Sequence, residues 1–417
     1  MTNLFRRRAS WAIYDQTLVS GANFASTLIV ARMLAPESFA MFSLASLVIL
    51  FLASFQRTLI TQPLNVLGAT EPPSQLAARY IGLMHMQWLM IPFGIVLLAA
   101  TGIFFFPDLG LVIGAASYLA GFFLQEMVRR YHYTQGEIQD ALVTDLISYG
   151  GQLLVLLLMY VLGCRDAAYA FIALAATSLL AFVWGQKRIR RSYSALMIEA
   201  KSPKRLLFEH WKFAKWVVLS QFVFWGATQA YPFMLAGQSS YAAVADFNVA
   251  NSILNALNIV RLMLGNYLPS RVTVVYADGG TAALRKFLLR MLVYSGSASL
   301  VLILLLMTGS HWLVDVLFAG KYPLAGDLIG WLACAHFASI MGVITNAGGL
   351  ALRTTNWIFY SNAVGAAFSI VCGPFLIERY GVWGAVAGLG IASALPTIIQ
   401  GIQVFYRCRP SNNVQKK

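Results

Sequence analysis

The sequence predicts an all-α membrane protein with about twelve transmembrane helices, arranged as two six-helix lobes around a central cavity. Three observations carry that prediction. Hydrophobic residues make up 59% of the chain and charged residues 11%, against about 45–50% and 25% in soluble domains, and mean hydropathy is +0.68. Twelve apolar stretches lie near the ~20 residues that a bilayer crossing requires. The basic residues fall overwhelmingly on one side of those stretches.

The spans are expected at 10–31, 39–60, 80–106, 109–130, 141–163, 167–186, 213–236, 242–269, 287–309, 327–350, 356–377 and 381–406. The first follows Arg6, Arg7 and Arg8, a signal-peptide-like start. Asp15, Gln16, Ser20 and Asn23 interrupt the apolar core that a signal peptide needs, so the segment reads as a retained first helix. With Ser26 and Thr27, these residues occupy an arc of roughly 140° at about 100° per residue. The first helix therefore has a polar face.

With the N-terminus inside, 25 of the 30 Lys and Arg lie in cytoplasmic segments or at span ends. Outside remain Arg32, Arg165, Lys321 and Arg379, and Arg261 lies within a span. This bias predicts a multi-pass membrane protein with both termini cytoplasmic. The longest polar connection, the basic stretch from Lys187 to Lys215, separates two sets of six spans. The organisation expected is an N-terminal lobe 1–186, a basic cytoplasmic linker 187–212, and a C-terminal lobe 213–417 ending in a basic tail. The linker is solvated or touches anionic headgroups, which makes membrane lipids a partner. The longest outside loop, around Ser310 to Gly326, is too short for an extracytoplasmic domain.

The most unusual span runs from Tyr241 to Pro269. It carries Asp246, Asn248, Asn251, Asn255, Asn258 and Arg261, and on one continuous helix its four asparagines fall within roughly 80°, with Arg261 about 60° beyond. Polar side chains at membrane depth are costly unless they face other helices or a water-filled space. An asparagine ladder holding a neighbouring helix would explain part of the pattern; four asparagines with an arginine favour a cavity wall. Pro92, Pro232, Pro374 and Pro396 fall inside expected spans, as kinks satisfied by neighbours or as bends used in gating.

Several function classes have no support. The formal charge of +14 is accounted for by cytoplasmic loops, so no nucleic-acid partner is inferred. Cys164, Cys334, Cys372 and Cys408 stand singly, without disulfide or zinc spacing. There is no phosphate-binding Gly-rich Lys-Ser/Thr loop and no His-Glu-x-x-His. His85, His132, His311 and His336 are scattered and read as structural. No catalytic residue, cofactor or metal is expected.

Three short stretches carry a family resemblance. Leu28 to Leu44, with Ala31-Arg32-Met33-Leu34-Ala35-Pro36 and Phe39, resembles the pattern ending the first helix of polysaccharide repeat-unit flippases, which handle O-antigen and exopolysaccharide units. Leu317-Phe318-Ala319-Gly320-Lys321-Tyr322 and Glu378-Arg379-Tyr380-Gly381-Val382-Trp383-Gly384-Ala385 are similar to later patterns of that family. It belongs to the multidrug/oligosaccharidyl-lipid/polysaccharide exporter superfamily. Ala40 stands where the family usually has glycine, and the seventh span has Trp225 and Gln229 in place of a central acid.

The resemblance implies a flippase that translocates a lipid diphosphate-linked oligosaccharide by alternating access of two lobes. Cations would meet phosphate and amides would meet sugar. The candidates are Arg261, Asn248, Asn251, Asn255 and Asn258, with Gln16, Ser20 and Asn23 facing them. Asp246 and Asp15 are candidates for ion coupling. Other polysaccharide-assembly proteins are further candidate partners. Two alternatives stay open: a cation-coupled multidrug exporter of the same superfamily, and a membrane enzyme acting on lipid-linked sugars.

Overall fold

The computed structural model describes residues 2–68, 71–193 and 200–409. All regular structure among them is helical. Among the described residues, nine helical segments are long and apolar enough to cross a membrane. The expected spans 10–31, 213–236 and 242–269 are not among these nine, the first and third being the two singled out for their polar faces. The chain divides into two compact units, 1–221 and 222–417.

The first unit begins with α1 (Thr2–Met33), followed by α2 (Pro36–Gln56). Pro36 occupies the first turn of α2, where a missing N–H costs nothing. A π-helical turn over Arg57–Thr61 joins α2 to α3 (Gln62–Leu67). The long helices α4 (Pro73–Phe105) and α5 (Leu109–Gln135) come next. Asp108 caps α5 by accepting from the N–H groups of Gly110 and Leu111, and Gly136 ends it at φ 80°. Then α6 (Ile138–Asp145), a second π-helical turn (Leu146–Gly150) and α7 (Gly151–Val161) form one crossing.

Helix α8 (Ala167–Tyr193) packs along α5. A Cβ added at Gly114 would lie 2.7 Å from the Ala168 carbonyl oxygen, and one at Gly121 3.0 Å from that of Ala175. Glycine thus permits the two backbones to approach, as at many helix pairs in lipid. Phe42 of α2 stacks on buried Phe171 of α8 at 4.2 Å.

The basic segment 187–212 is largely helical at both ends. Helix α8 continues to Tyr193, and α9 (Pro203–Thr228) starts at Pro203. Between them, the Lys201 N–H donates to the Ala78 carbonyl at 3.0 Å, laying the described part of the connection on α4.

In the second unit, the expected span 213–236 is broken. Helix α9 ends at Thr228 and α10 (Tyr231–Gln238) begins at Tyr231. Pro232 therefore opens a helix rather than bending one, because proline needs no i−4 acceptor in a first turn. The expected span 242–269 is also interrupted: α11 (Tyr241–Leu254) gives way to a 3₁₀ turn at Asn255–Leu257 before α12 (Asn258–Thr308). The polar face is therefore two faces joined at a bend. Gly280, at φ 64° and ψ −157°, divides α12 in turn.

Helices α13 (Ser310–Phe318), α14 (Ala325–Ala351), α15 (Thr355–Tyr380) and α16 (Val382–Arg407) complete the unit. Leu268, Val272, Leu288, Ile344 and Val404 bury a core shared by α12, α14 and α16. Pro92, Pro374 and Pro396 lie within helices, as expected.

Candidate functional site

The second unit supplies a polar cluster from α11, α12 and α14. Helix α11 is started by Ser240, whose hydroxyl accepts from the Ala243 N–H at 3.1 Å. Its apolar side, including Val244, Phe247, Ala250 and Leu254, is buried. Asn248 and Asn251 are half-buried. The Asn251 Oδ1 accepts from His336 Nε2 of α14 at 3.2 Å. Asn248 Nδ2 is sealed from solvent without a hydrogen-bond partner, a condition that costs about 1–3 kcal/mol. Asn255, at the bend, is exposed.

Arg261 lies on the first turn of α12 and is half-buried. No ion pair forms between it and any carboxylate of the described residues, and its charge is within Coulomb range of His336. The cluster therefore offers one uncompensated cation together with amide and imidazole groups. That set suits an anionic, hydroxyl-rich ligand.

The remaining predicted residues divide clearly. Asp246 is buried, and its Oδ1 accepts from the N–H groups of Leu324 at 3.2 Å and Ala325 at 3.1 Å. It caps the N-terminus of α14 from another helix, where the aligned peptide dipoles favour negative charge. Ser20 and Asn23 are exposed on α1 in the first unit. The side chains of Asp15, Gln16 and Asn258 lie outside the described residues.

Sequence reasoning missed His336, treated as one of several scattered histidines. It also missed a buried polar network in the first unit. There Arg129 pairs with Asp145 at 2.5 Å and with Glu126 at 3.3 Å, and Arg130 shares Glu126. Ser148 of the second π-turn donates to Gln125, and Gln152 donates to Ser148. Arg129, assigned only to a cytoplasmic end, is buried. The available signal was the spacing of Glu126 from Arg129 and Arg130, at i+3 and i+4 on one helix face. Its two cations and two carboxylates balance.

At the end of α5, His132, Glu137 and Asp140 bring potential metal-ligand atoms within 4.8 Å of one another. Glu137 contacts the His132 ring at 3.1 Å, and Arg188 pairs with Asp140 at 3.3 Å.

The three stretches that carried the resemblance all form corners between helices. Leu34 is buried between α1 and α2. Ala319 and Gly320 adopt φ 57° and 67°, and buried Phe318 and Tyr322 meet edge to face across the turn into α14. Gly381, at φ 58°, turns α15 into α16.

The whole-chain arrangement can be compared with solved structures. An inward-facing multidrug-resistance MATE transporter of the MOP superfamily superposes with a TM-score of 0.72 at 15% identity, over 94% of each chain. The chain has the fold of the MOP-superfamily transporters. The inward closed form of the lipid II flippase MurJ gives 0.70 at 12% identity, covering 95% of this chain and 87% of that one. A MOP-superfamily transporter from Pyrococcus furiosus, whose structure was described in terms of a binding pocket of reverse polarity, gives 0.57 at 15% identity, over 94% and 93%. No family model matches the sequence, and no curated protein does. Within the MOP fold, Arg261, Asn251 and His336 all belong to the second unit.

Proposed function

We propose that the protein is a flippase that moves a lipid diphosphate-linked oligosaccharide across the bacterial inner membrane for polysaccharide export. Its two six-helix lobes would open alternately to either side, with both termini cytoplasmic. The observation that supports this reading is Arg261: a half-buried cation, uncompensated by any described carboxylate, within Coulomb range of His336, which is hydrogen-bonded to Asn251. Phosphate takes the cation, and the amides take sugar hydroxyls. The sealed Asn248 amide gains a partner when the cluster opens to cargo.

A second reading, a cation-coupled multidrug exporter, draws on the likeness to MATE transporters. Such a function calls for a carboxylate free to take up an ion, whereas Asp246 is engaged in capping α14. The test is translocation of a lipid diphosphate-linked saccharide in reconstituted vesicles, comparing wild type with Arg261→Ala. Flippase activity that Arg261→Ala abolishes supports the proposal; unimpaired translocation in the variant overturns the assignment of Arg261. Cation-driven drug export without saccharide translocation favours the second reading.

A further inference from the structure

A groove in the first unit lies between α4 and α8, at the basic end of both helices. It encloses a cavity of about 620 Å³, within the usual range of small-ligand sites. Its walls are apolar, with Ile81 and Met84 from α4 and Phe182 and Val183 from α8. The Tyr80 hydroxyl donates to Gln186 across its floor. At the basic end, Lys187 and Arg190 form the rim. Both are exposed, and neither forms an ion pair with a described residue. Arg188, between them, is paired with Asp140 and does not line the groove.

The apolar wall continues out of the groove along both helices. Trp88 and Val96 are exposed on α4, as are Val183, Leu180 and Ile172 on α8. From Arg190 to Leu180 the helix rises about 15 Å, which is the depth of one hydrocarbon leaflet. An occupant thus meets two cations at one end and an apolar track of leaflet depth at the other.

We infer that this groove binds one anionic phospholipid of the leaflet that meets the basic end of the unit, its headgroup phosphate held by Lys187 and Arg190 and an acyl chain laid between α4 and α8. Zwitterionic lipid lacks the net charge that two unpaired cations select. The site is independent of the cargo cluster, which lies in the other unit.

The test is native mass spectrometry of the purified full-length protein, released from detergent after titration with phosphatidylglycerol or phosphatidylcholine. Wild type should retain one phosphatidylglycerol in preference to phosphatidylcholine. The double variant Lys187→Ala/Arg190→Ala should bind phosphatidylglycerol about thirtyfold more weakly, each cation near an anionic headgroup counting about fivefold. Met84→Trp, which fills the groove and keeps the cations, should also lose the lipid. The control Lys204→Ala/Arg205→Ala removes the same charge elsewhere on the basic side and should retain it. Equal loss in that control, or equal retention of the two lipids by wild type, overturns the inference. So does a polyprenyl diphosphate that occupies the groove while phosphatidylglycerol does not, since the groove would then be a cargo site.

Discussion

The Nδ1–H of His210 donates to the carbonyl oxygen of Leu59 at 2.7 Å, joining α9 to the first π-helical turn. Leu59 stands four residues before Pro63, and proline has no N–H with which to take that carbonyl. A histidine 151 positions away supplies the missing donor. Because a carbonyl only accepts, Nδ1 carries the proton, and the opposite nitrogen, Nε2, accepts from Arg79 at 3.2 Å. The neutral imidazole is therefore the form the fold holds.

This arrangement gives a pH dependence. Burial pushes the His210 pKa below 6.5; the Leu59 bond opposes the shift and the Arg79 charge adds to it. Burial alone would raise nearby Glu71, but hydrogen bonds from Arg79 and Lys201 outweigh it and hold the carboxyl below 4.5. Both shifts make the unfolded chain bind more protons as pH falls. Stability should drop first as pH passes below about 6.5, through His210, and again below about 4.5, through Glu71. His210→Ala should melt lower at pH 7.5, by about 1–3 kcal/mol of stability, and show a flatter change of Tm between pH 7 and 5. An unaltered slope in that interval would remove His210 as its source.

Asp246 should behave as a cap. Asp246→Ala removes the acceptor for two N–H groups at the start of α14 and should cost about 1–2 kcal/mol, seen as lower Tm and lower abundance. Asp246→Asn keeps the oxygen but loses the charge, and should fall between the two. An Asn variant as abundant as wild type that no longer responds to an imposed ion gradient in vesicles would assign the carboxylate to coupling instead.

Arg261→Ala should abolish saccharide translocation at normal protein level. Arg261→Lys should restore it only in part, because a single ammonium cannot reproduce the two-pronged contact of a guanidinium with phosphate. Full rescue by lysine would show that charge alone is used.

The corner between α15 and α16 should tolerate no side chain at Gly384. An added Cβ would lie 1.9 Å from the Leu376 carbonyl oxygen, with backbone on that side rather than a movable side chain. Gly384→Ala should cost about 1–3 kcal/mol or more. Gly237→Ala, where nothing lies within 4 Å, should be neutral or slightly stabilising. A Gly384→Ala protein as thermostable as wild type would contradict the packing of this corner.

Membrane orientation can be checked with single cysteines in a background lacking the four native ones. Position 204 should be protected from an impermeant thiol reagent added outside cells, and position 321 should react. Both residues are exposed, so burial would not confound the readout. Labelling at 204 would reverse the orientation that the charge bias predicts.

By itself, the sequence determined the quantities that depend on short stretches read against water and lipid. Apolar length predicted where helices lie: nine of the twelve expected spans fall on described helices long and apolar enough to cross a membrane, while 213–236 and 242–269 are interrupted; the bias of Lys and Arg predicted the proposed orientation. The polar residues of 241–261 marked the segment from which the proposed cargo cluster is drawn, since polar groups at that depth demand partners wherever they fold. What the tertiary structure decided was which partner each of them finds. Asp246 turns to the N–H groups at Leu324 and Ala325, Asn251 meets His336, and Arg261 keeps no described carboxylate. The same holds for Leu59 and His210, and for Arg129 and Asp145. Those pairs join residues separated by 16 to 151 positions, and hydrogen bonds and ion pairs depend on distances of a few ångströms, which only the packing of one helix against another sets.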